Sequence, residues 1–374
     1  MIHRIALLGV GLVGGSLGLA LRRHRPDLHL TGYDRPDVLD LAVEKGVIHD
    51  RAATPADAVR HADLVVLAVP LGPMMTLLEA IAPHLKAGAT VTDVGSVKRP
   101  VVAQAREVLP STVTFVGGHP MAGAEQGGLA HANALLFENA TYVLCPPLAP
   151  DGTPMDHARF SAEQTDLIGL VQATGARVLL LDPEPHDHIA AAVSHLPQLL
   201  AVTLMQSAAA HPNRDAFLQL AAGGFRDMTR IASSPFGLWH DILVANEGPI
   251  LDAFGRLATA LQKTRHRLAE GAMSDLETLF DEARTARQGI PRDMKGFLQP
   301  LADVFVYAQD EPGFLLRVVQ VVYNADLNIK DIELLKIREG TGGTFRLGFR
   351  TEADAQRAIE ALLGAGFHAH RMDG

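Results

Sequence analysis

The fold is decided at the start of the chain, where residues 4–14 are RIALLGVGLVG. An apolar run typical of a buried strand leads into three glycines, Gly9, Gly11 and Gly14, at GxGxxG spacing. In this motif the first glycine permits a tight turn, the second lets a pyrophosphate approach the backbone, and the third lets helix pack on strand. The helix N-terminus then offers free N–H groups and a positive dipole end to the phosphates. The stretch therefore predicts a dinucleotide site.

A carboxylate at the end of the next expected strand supports that site. Asp34 lies about twenty positions after Gly14, the spacing at which an acidic side chain can hydrogen-bond a ribose diol. A carboxylate in this place repels a 2′-phosphate, so the sequence favours NAD over NADP, although the adjacent Arg35 weakens that preference.

The first half of the chain alternates short apolar runs with helical patterns. Strands that are apolar on both faces and separated by helices predict a parallel sheet covered on each side, here a Rossmann-type doubly wound α/β fold. The expected strands lie within residues 4–11, 28–34, 63–70, 89–96 and 113–120. Two later runs, at residues 139–146 and 176–183, are expected to extend the sheet.

The ligand crevice of an open parallel sheet lies beyond the carboxyl ends of its strands. Four residues at those ends should therefore line one cleft: Val69, Pro70, Ser96 and His119. The candidate cofactor-binding residues are those of the glycine-rich turn, the acidic residue and the end of the third strand: Gly9, Gly11, Leu12, Val13, Gly14, Asp34, Val69 and Pro70.

Three domains are predicted. Near residue 183 the sequence changes from alternating strand and helix patterns to helical patterns alone. Residues 1–182 form the dinucleotide-binding domain. Residues 183–293 are helical, with long apolar stripes of the kind that often bury a dimer partner. A polar stretch near residue 290 predicts a linker. Residues 298–374 have the order βαββαβ, which predicts a small ferredoxin-like module.

The composition is that of a soluble globular protein of 374 residues, with 48% hydrophobic and 20% charged residues. A formal net charge of −9 argues against a general binder of nucleic-acid backbones. The single cysteine, Cys145, excludes an intrachain disulfide and favours a reducing, cytoplasmic location. The apolar run at residues 63–75 is too short to span a membrane. We expect neither a nucleic acid nor a membrane as a partner.

One histidine stands out in FVGGHPMAGAEQGG, residues 115–128. His119 follows two glycines and precedes a proline at the expected end of a strand. The residues alone leave three uses open: a general base, a metal ligand, or a buried side chain without chemistry. Ser96, in DVGSVK at residues 93–98, is equally suited to cap the following helix and to contact a ligand.

A second group of polar residues lies in the helical part. His195 precedes Pro197 by two positions in an apolar helix, and Pro197 should kink that helix. His195 itself is favoured as a core residue. For Arg226 and Arg230, spacing alone favours an ion pair with Asp227 over a bidentate contact with a ligand carboxylate.

A metal site is not expected. The triplet HDH at residues 186–188 places its histidines at i and i+2, positions that do not face one another on a helix. The sequence offers no obvious third and fourth ligands.

Six motifs together resemble one family. GVGLVGGSLGLAL, GYDR, DVGSVK, GGHPMAGAEQGG, VSHLP and GGFRDMTRIA occur in the order found in prephenate dehydrogenases of tyrosine biosynthesis. The resemblance covers residues 1–290. Through DEPGFL and NIKDI the tail resembles an ACT domain, a small-molecule sensing module. The implied activity is the NAD-dependent oxidative decarboxylation of prephenate to 4-hydroxyphenylpyruvate in the cytoplasm.

The resemblance also implies roles for individual side chains. His119, from the GGHP motif, accepts a hydrogen bond from the ring hydroxyl of the substrate. Ser96 hydrogen-bonds to that histidine and to the substrate. Arg230 binds a substrate carboxylate, His195 lies near the bound substrate, and Arg226 helps to enclose the anion. These implied roles displace the structural uses that spacing favours for His195 and Arg230.

In the tail, the resemblance implies regulation by an amino acid, and end-product logic points to tyrosine as the effector. Asp310, Gly313 and Asn328 sit where such ligands are held in the family, near the first loop and a dimer interface. The alternative is that the module only aids assembly. A homodimer is expected in either case.

Three alternatives to the activity are weighed. Arogenate, which carries an amine where prephenate has a ketone, is the second candidate substrate. A dehydrogenase of the β-hydroxyacid type also joins a Rossmann domain to helices, but it commonly relies on a helical lysine and has no reason to carry GGHPMAG. A non-catalytic sensor of NAD and an amino acid is disfavoured by the intact set of His119, Ser96 and Arg230.

Overall fold

The computed structural model describes residues 1–123, 126–149, 151–289, 301–308, 311–338 and 342–371. The chain forms two compact units, Met1–Leu279 and Phe280–Gly374, and each is described by itself. The first unit combines an eight-stranded sheet with a helical part.

The strands of the large sheet follow the expected runs closely. They are β1 (Arg4–Leu8), β2 (His29–Tyr33), β3 (Asp50–Arg51), β4 (Leu64–Leu67), β5 (Thr90–Asp93), β6 (Thr114–Pro120), β7 (Thr141–Cys145) and β8 (Arg177–Leu180). Their spatial order is β3-β2-β1-β4-β5-β6-β7-β8. Strand β3 was not predicted; it is a two-residue edge that pairs with β2.

Two separate cores cover the two faces of this sheet. Along β1, Leu7 belongs to one buried cluster and Leu8 to the other. Along β4, Val66 and Val65 divide in the same way. Because successive strand residues point to opposite faces, an unbroken apolar run is what a sheet buried on both sides requires.

The prediction of a wholly parallel sheet is wrong at one pair of strands. Strand β7 runs antiparallel to β6, with His119 opposite Val143, whereas β8 is parallel to β7. A parallel partner would need a long crossover, usually helical. The described part of the β6–β7 connection holds only the 3-10 turn Leu129–His131, so the chain returns in the opposite direction.

Sixteen helices lie in the described residues, and the predicted helical patterns all fall within them. They are α1 (Leu12–His24), α2 (Pro36–Glu44), α3 (Pro55–Val59), α4 (Leu71–Ile81), α5 (Arg99–Val108), α6 (His157–Glu163), α7 (Thr165–Ala173), α8 (Pro183–Ala190), α9 (Leu196–Ala209), α10 (Arg214–Leu220), α11 (Gly223–Thr229), α12 (Phe236–Ala245), α13 (Glu247–Ala269), α14 (Met273–Gln288), α15 (Phe314–Asn324) and α16 (Glu352–Gly364). The boundary between the two units falls within α14.

Helices α8 and α9 form one run through a widened π turn, Ala191–His195. Pro197 lies in the first turn of α9, where its missing N–H is tolerated. The sequence predicted a kink at Pro197. The structure instead has a π segment just before it, which ends at His195. Such segments are rare and occur frequently at functional sites.

The combined run Pro183–Ala209 is long and apolar enough to cross a membrane by length and composition alone, with a mean hydropathy of 1.3. The sequence analysis overlooked it. Three polar side chains on this run, His186, Asp187 and His195, are buried inside the unit. Burial of hydrogen-bonded polar groups against neighbouring elements is typical of a core helix of a folded domain.

The long helical pattern at residues 235–271 is broken at Asn246, between α12 and α13. Asn246 has φ −118° and ψ 23°, outside helical geometry, and its side chain is fully buried. A buried amide must find hydrogen-bond partners, and those of Asn246 lie in the candidate site described below.

The second unit has the predicted element order. Strands β9 (Ala302–Ala308), β10 (Asp331–Arg338), β11 (Gly342–Phe349) and β12 (Ala369–His370) form a four-stranded sheet in the order β10-β11-β9-β12. All of its pairs are antiparallel. Helices α15 and α16 pack on the sheet around a core of small and branched apolar side chains. The predicted linker lies largely outside the described residues.

Candidate active site

The glycine-rich turn leaves backbone open at one position. Gly9 has φ +96°, and a side chain there would meet the carbonyl oxygen of Ala68 at 2.4 Å. A side chain at Gly14 would meet the carbonyl oxygen of Gly9 at 2.1 Å. At Gly11, by contrast, an added Cβ meets nothing within 4 Å. A ligand can therefore approach the backbone at Gly11, while Gly9 and Gly14 hold strand, turn and helix together.

Helix α1 begins immediately after Gly11, with Leu12 and Val13 in its first turn. No side chain caps this N-terminus. Its first N–H groups therefore have no partner within the helix, and they are suited to an anionic group of a ligand.

Asp34 lies beside this turn. Its Oδ2 accepts a hydrogen bond from the backbone N–H of Val10 at 2.7 Å, and its Oδ1 accepts one from that of Arg35 at 2.7 Å. A cavity of about 860 Å³ opens here, lined by Gly9, Asp34, Arg35 and Val69 among others. Pro70, the N-cap residue of α4, follows Val69 and is exposed. The cavity has the size and acidic edge needed for the adenosine part of NAD.

The end of β6 is held by a buried ion pair between Lys98 and Asp93, both with no exposed side-chain surface. Lys98 Nζ also donates to the carbonyl oxygen of Gly118 at 2.6 Å. The N–H of Gly118 donates to Asp93 Oδ1 at 3.0 Å. A side chain at position 118 would come within 2.2 Å of the backbone oxygen of Asp93. The glycine before His119 is therefore required by close backbone approach.

His119 is brought against His186 by this arrangement. Its Nδ1 lies 2.8 Å from Nε2 of His186, and Nδ1 of His186 lies 2.8 Å from Oδ1 of Asp187. His119 is 8% exposed, and the hydrogen bond of its ring within the described residues is made by Nδ1 and not by Nε2. Burial lowers the pKa of His119 well below its usual value, and the charges of Lys98, His186 and His195 lower it further. His119 is therefore a neutral imidazole at neutral pH.

Asp187 also caps a helix of the Rossmann part. Its Oδ1 accepts from the backbone N–H of Lys98 at 2.7 Å, and its Oδ2 accepts from that of Arg99 at 2.9 Å, at the start of α5. Burial raises the pKa of this carboxyl, but the hydrogen bonds from His186 and from the two amides outweigh it, so the pKa is lowered overall. Asp187 is thus a buried, ionised carboxylate.

The possibility that Ser96 caps α5 is wrong. The N-cap residue is Lys98, it makes no side-chain cap, and the orphan N–H groups are satisfied by Asp187 instead. Ser96 is half-buried in the loop between β5 and α5, and it makes no hydrogen bond to His119. Its hydroxyl is therefore not committed to the fold.

His195 occupies the end of the π turn and is 1% exposed. The side-chain nitrogen of Asn246 lies 3.1 Å from its Nδ1 and also donates to the carbonyl oxygen of Asp187 at 2.8 Å. Since that carbonyl can only accept, the nitrogen of the amide must face it, and Nδ1 of His195 must accept as well. His195 therefore carries its hydrogen on Nε2, which is sealed from solvent and unpaired in the described chain.

The pKa of His195 is lowered to about 4, first by burial and partly opposed by Asp187. The imidazole therefore stays neutral well below pH 7 and presents a neutral N–H donor. A buried donor without a partner is costly in a folded protein, by about 1–3 kcal/mol. It is the kind of exception that calls for a ligand acceptor.

The two arginines lie away from this buried cluster. Arg226 is on α11, Arg230 begins the following 3-10 turn, and both side chains are exposed. Asp227 is also exposed. It lies three positions before Arg230, a spacing at which side chains of a helix can meet, so the pairing that spacing favours stays a prediction.

Five site residues were missed by the sequence analysis: Asp93, Lys98, His186, Asp187 and Asn246. Two signals were present. Lys98 and Asp93 are charged residues in an otherwise apolar strand–helix junction, and HDH was considered only as a metal motif. Asn246 gave a weaker signal, as one amide in a long helical pattern.

A dinucleotide-binding sheet with a neutral histidine at its carboxyl edge is typical of a nicotinamide-dependent dehydrogenase. Two family models match the chain: "Prephenate dehydrogenase, nucleotide-binding domain" over residues 17–165 and "Prephenate dehydrogenase, dimerization domain" over residues 182–282. The chain belongs to the prephenate dehydrogenase family.

Individual relatives agree with this assignment. The prephenate dehydrogenase of Bacillus subtilis (strain 168) is 34% identical over 96% of this chain and 95% of its own. A crystal structure of prephenate dehydrogenase from A. aeolicus in complex with hydroxyphenyl propionate and NAD+ matches with a TM-score of 0.68 and 29% identity, over 78% of this chain and 99% of that one. The arogenate dehydrogenase of Synechocystis matches with a TM-score of 0.66 and 27% identity, over 76% and 99%.

Proposed function

We propose that this protein catalyses the NAD-dependent oxidative decarboxylation of prephenate to 4-hydroxyphenylpyruvate, the dehydrogenase step of tyrosine biosynthesis. The observation that carries the chemistry is the neutral imidazole of His119 at the carboxyl edge of the sheet, with Nδ1 held by His186 and Nε2 left for a substrate. An unprotonated nitrogen in that place can accept the proton of a substrate hydroxyl while hydride departs from the same carbon.

The residues suited to hold NAD are those of the glycine-rich turn with Asp34. Gly11 lets the pyrophosphate reach the backbone, the first turn of α1 faces it, and Asp34 lies at the edge of the adenosine cavity. When bound, NAD supplies the acceptor for the hydride that leaves C4 of the substrate. The chain leaves the cofactor chemistry to NAD and contributes position and proton transfer.

His119 takes the proton of the C4 hydroxyl on its Nε2 as that carbon becomes a carbonyl. The ring carboxylate then leaves as CO2, the electron pair of the broken C–C bond completes the aromatic ring, and the oxyanion that results at C4 takes the proton back from His119. Aromatisation makes the step effectively irreversible. A positioned general base typically contributes about 10²–10⁴-fold in rate, and the depressed pKa keeps His119 in the basic form at neutral pH.

We assign the anionic groups of the substrate to three further residues. Arg230 is proposed to hold a substrate carboxylate through a planar two-bond contact, which lysine cannot reproduce. Arg226, one helical turn earlier, helps to enclose the anion. His195 offers the buried Nε2–H as a neutral donor. Ser96, whose hydroxyl is not used by the fold, is proposed to contact the substrate beside His119.

NADH absorbance tests the proposal most directly. Full-length protein with NAD should produce NADH when mixed with prephenate. A parallel reaction with arogenate tests the second candidate, which the structural likeness to an arogenate dehydrogenase favours. If NADH absorbance rises with arogenate alone, arogenate is the substrate. If it rises with neither compound in a protein that binds NAD, the proposed activity is refuted.

For the second unit we propose an ACT-type regulatory module that binds tyrosine. A cavity of about 400 Å³ lies between α15 and β10 and is lined by Asn328, Lys330 and Asp331 among others. Gly313 has φ +82° and begins α15, while Asp310 lies outside the described residues. Inhibition of NADH production by tyrosine, lost in a chain truncated near residue 293, is the expected result. If tyrosine inhibits the truncated chain as strongly as the full-length protein, the module is not the regulatory site and serves assembly alone.

We also propose that the protein is a cytoplasmic homodimer. The helical part exposes large apolar side chains, among them Phe236, Leu238, Leu251 and Leu261. Exposed apolar surface of this kind is typical of an interface, and one copy presenting it to another gives a closed two-fold pair. Light scattering of the purified chain should give twice the mass of 40.0 kDa.

A further inference from the structure

The proposed function leaves the pair His186 and Asp187 without a role in the chemistry. We propose that His186, held by Asp187, is a positioning residue that fixes His119 in the tautomer with hydrogen on Nδ1 and a bare Nε2. The inference rests on the proposed function, in which Nε2 of His119 takes the proton of the substrate hydroxyl. His186 acts through His119 and touches no reacting atom.

The direction of each hydrogen bond follows from the carboxylate. Both oxygens of Asp187 already accept from backbone N–H groups, at 2.7 Å and 2.9 Å, so the group is an acceptor only. Nδ1 of His186, 2.8 Å from Asp187 Oδ1, must then carry a hydrogen. A neutral His186 has its lone pair on Nε2. The contact of 2.8 Å with His119 is satisfied only when Nδ1 of His119 donates.

The opposite tautomer of His119 would set two lone pairs against each other across 2.8 Å in a buried site. Only a second proton on His186 would relieve that repulsion. The resulting imidazolium would be 3% exposed, and burial of a charge is costly without full compensation. The carboxylate of Asp187 is the nearest compensation, and it is already shared with two amides of α5 and with the guanidinium of Arg99.

The charged and titratable groups that face His119 come from four elements. Lys98 lies at the start of α5 and is paired with Asp93 at the end of β5. His186 lies on α8, and His195 lies at the end of the π turn. Lys98, His186 and His195 each disfavour a positive charge on His119, while the carboxylate of Asp93 is paired with Lys98. The tautomer set by His186 is therefore the form in which His119 meets the substrate.

Nitrogen NMR of the full-length protein tests the tautomer without turnover. Histidine labelled with ¹⁵N shows bare and protonated ring nitrogens at well separated shifts. The chain has 17 histidines, so His119→Asn and His186→Gln variants would assign the two signals. At about pH 7.5, above the usual histidine pKa, His119 should show hydrogen on Nδ1. In His186→Leu it should shift toward the Nε2–H form.

Two NMR outcomes would overturn the proposal. One is an Nε2–H form of His119 in the unmodified protein, which would mean that His186 carries a second proton. The other is an unchanged His119 tautomer in His186→Leu. Neither depends on NADH production, so a protein inactive on prephenate and arogenate would refute the proposed function and leave the tautomer result standing.

Steady-state kinetics separate positioning from general stability. His186→Leu should lower kcat about 10- to 100-fold, less than loss of the base itself, with KM for prephenate and NAD affinity nearly unchanged. His186→Gln should recover part of that loss, because its amide oxygen can accept from Nδ1 of His119. His188→Gln is the matched control, since His188 is only half-buried and the contact of its Nδ1 within the described residues is the carbonyl oxygen of Glu184. If kcat falls equally in the leucine and glutamine variants, His186 has a structural role and the proposed positioning role is wrong.

Discussion

Two buried histidines from different parts of the first unit are both neutral, but their neighbours leave them with opposite hydrogen-bonding groups. His119, at the end of β6, places its Nδ1 against a ring nitrogen of His186, while His195, on the π turn, places its Nδ1 against the amide of Asn246. Burial lowers the pKa of both. His119 is left with a nitrogen that accepts, and His195 with a nitrogen that donates. The chemistry of a buried imidazole is therefore set by its neighbour.

Both arrangements lead back to one residue. The carboxylate of Asp187 orients His186, and the backbone carbonyl of the same residue orients Asn246. On the proposed roles, a single turn of α8 therefore fixes which nitrogen each histidine offers to the substrate. The comparison predicts unequal consequences when each side is disturbed.

The largest effect is expected from His119→Ala. Loss of the accepting nitrogen should reduce kcat about 10²–10⁴-fold, while NAD affinity stays near that of the unmodified protein. His195→Ala should act mainly on KM for prephenate, because a donor to the substrate is lost and the base remains. Steady-state kinetics with calorimetric NAD binding would measure both. An unchanged kcat in His119→Ala would remove the general-base role.

Acid should destabilise the protein through His195. With a folded pKa of about 4 and an unfolded pKa near 6.5, the unfolded chain binds the proton first, so stability falls as pH drops through this window. The expected loss between pH 7 and pH 5 is about 2 kcal/mol from this group. Urea unfolding at both pH values, compared with His195→Gln, would isolate it. The same pH dependence in both proteins would contradict the assignment.

Asn246→Leu should separate the donor histidine from the base. The change leaves Nδ1 of His195 without its donor, at a cost of about 1–3 kcal/mol in unfolding free energy, whereas the carbonyl of Asp187 still accepts from the backbone N–H of Ala191. KM for prephenate should rise as His195 loses its fixed tautomer, with kcat less affected. Thermal unfolding and kinetics would check this, with Asn213→Leu, at an exposed amide of the same helical part, as a control for stability. A large kcat loss with unchanged KM would argue that Asn246 serves His119 instead.

The smallest expected effect is a shift in the acid limb of the pH–rate profile. Because burial lowers the pKa of His119, kcat/KM should stay level as pH falls through the usual histidine range and decline only below it. Rates at closely spaced pH values, corrected for unfolding, would locate the midpoint. A midpoint at or above 6.5 would mean that His119 is more exposed to solvent or anions than the fold indicates.

The Rossmann strands could be read from the sequence because the signal is local. Runs such as RIALL and LVVL need only their own apolar residues to predict burial on both faces. The direction of β7 could not be predicted, since it depends on the path of residues 121–140. The break at Asn246 was also hidden, because one amide in a long helical pattern is compatible with an exposed position.

Part of the candidate site could be predicted from the sequence, as His119 was, and part could not, as the example of His186 shows. His119 was predicted as a site residue because it lies between two glycines and a proline at the end of a predicted strand, where the backbone is constrained. His186, 67 residues away along the chain, carries no local pattern that links it to His119. Its significance comes from the packing of α8 against the end of β6, which only the folded chain brings about. Hydrogen-bond partners at such separation are a tertiary property.

The separation of His119 from His186 also has a consequence for the timing of synthesis. The glycine-rich turn, Asp34 and His119 emerge first, and the chain must grow by another 67 residues before His186 exists. On the proposed role, a chain that ends before α8 lacks the residue that fixes the tautomer of His119, although every residue of its glycine-rich turn is present. The order of synthesis therefore places the coenzyme-binding residues before the residue that prepares the base.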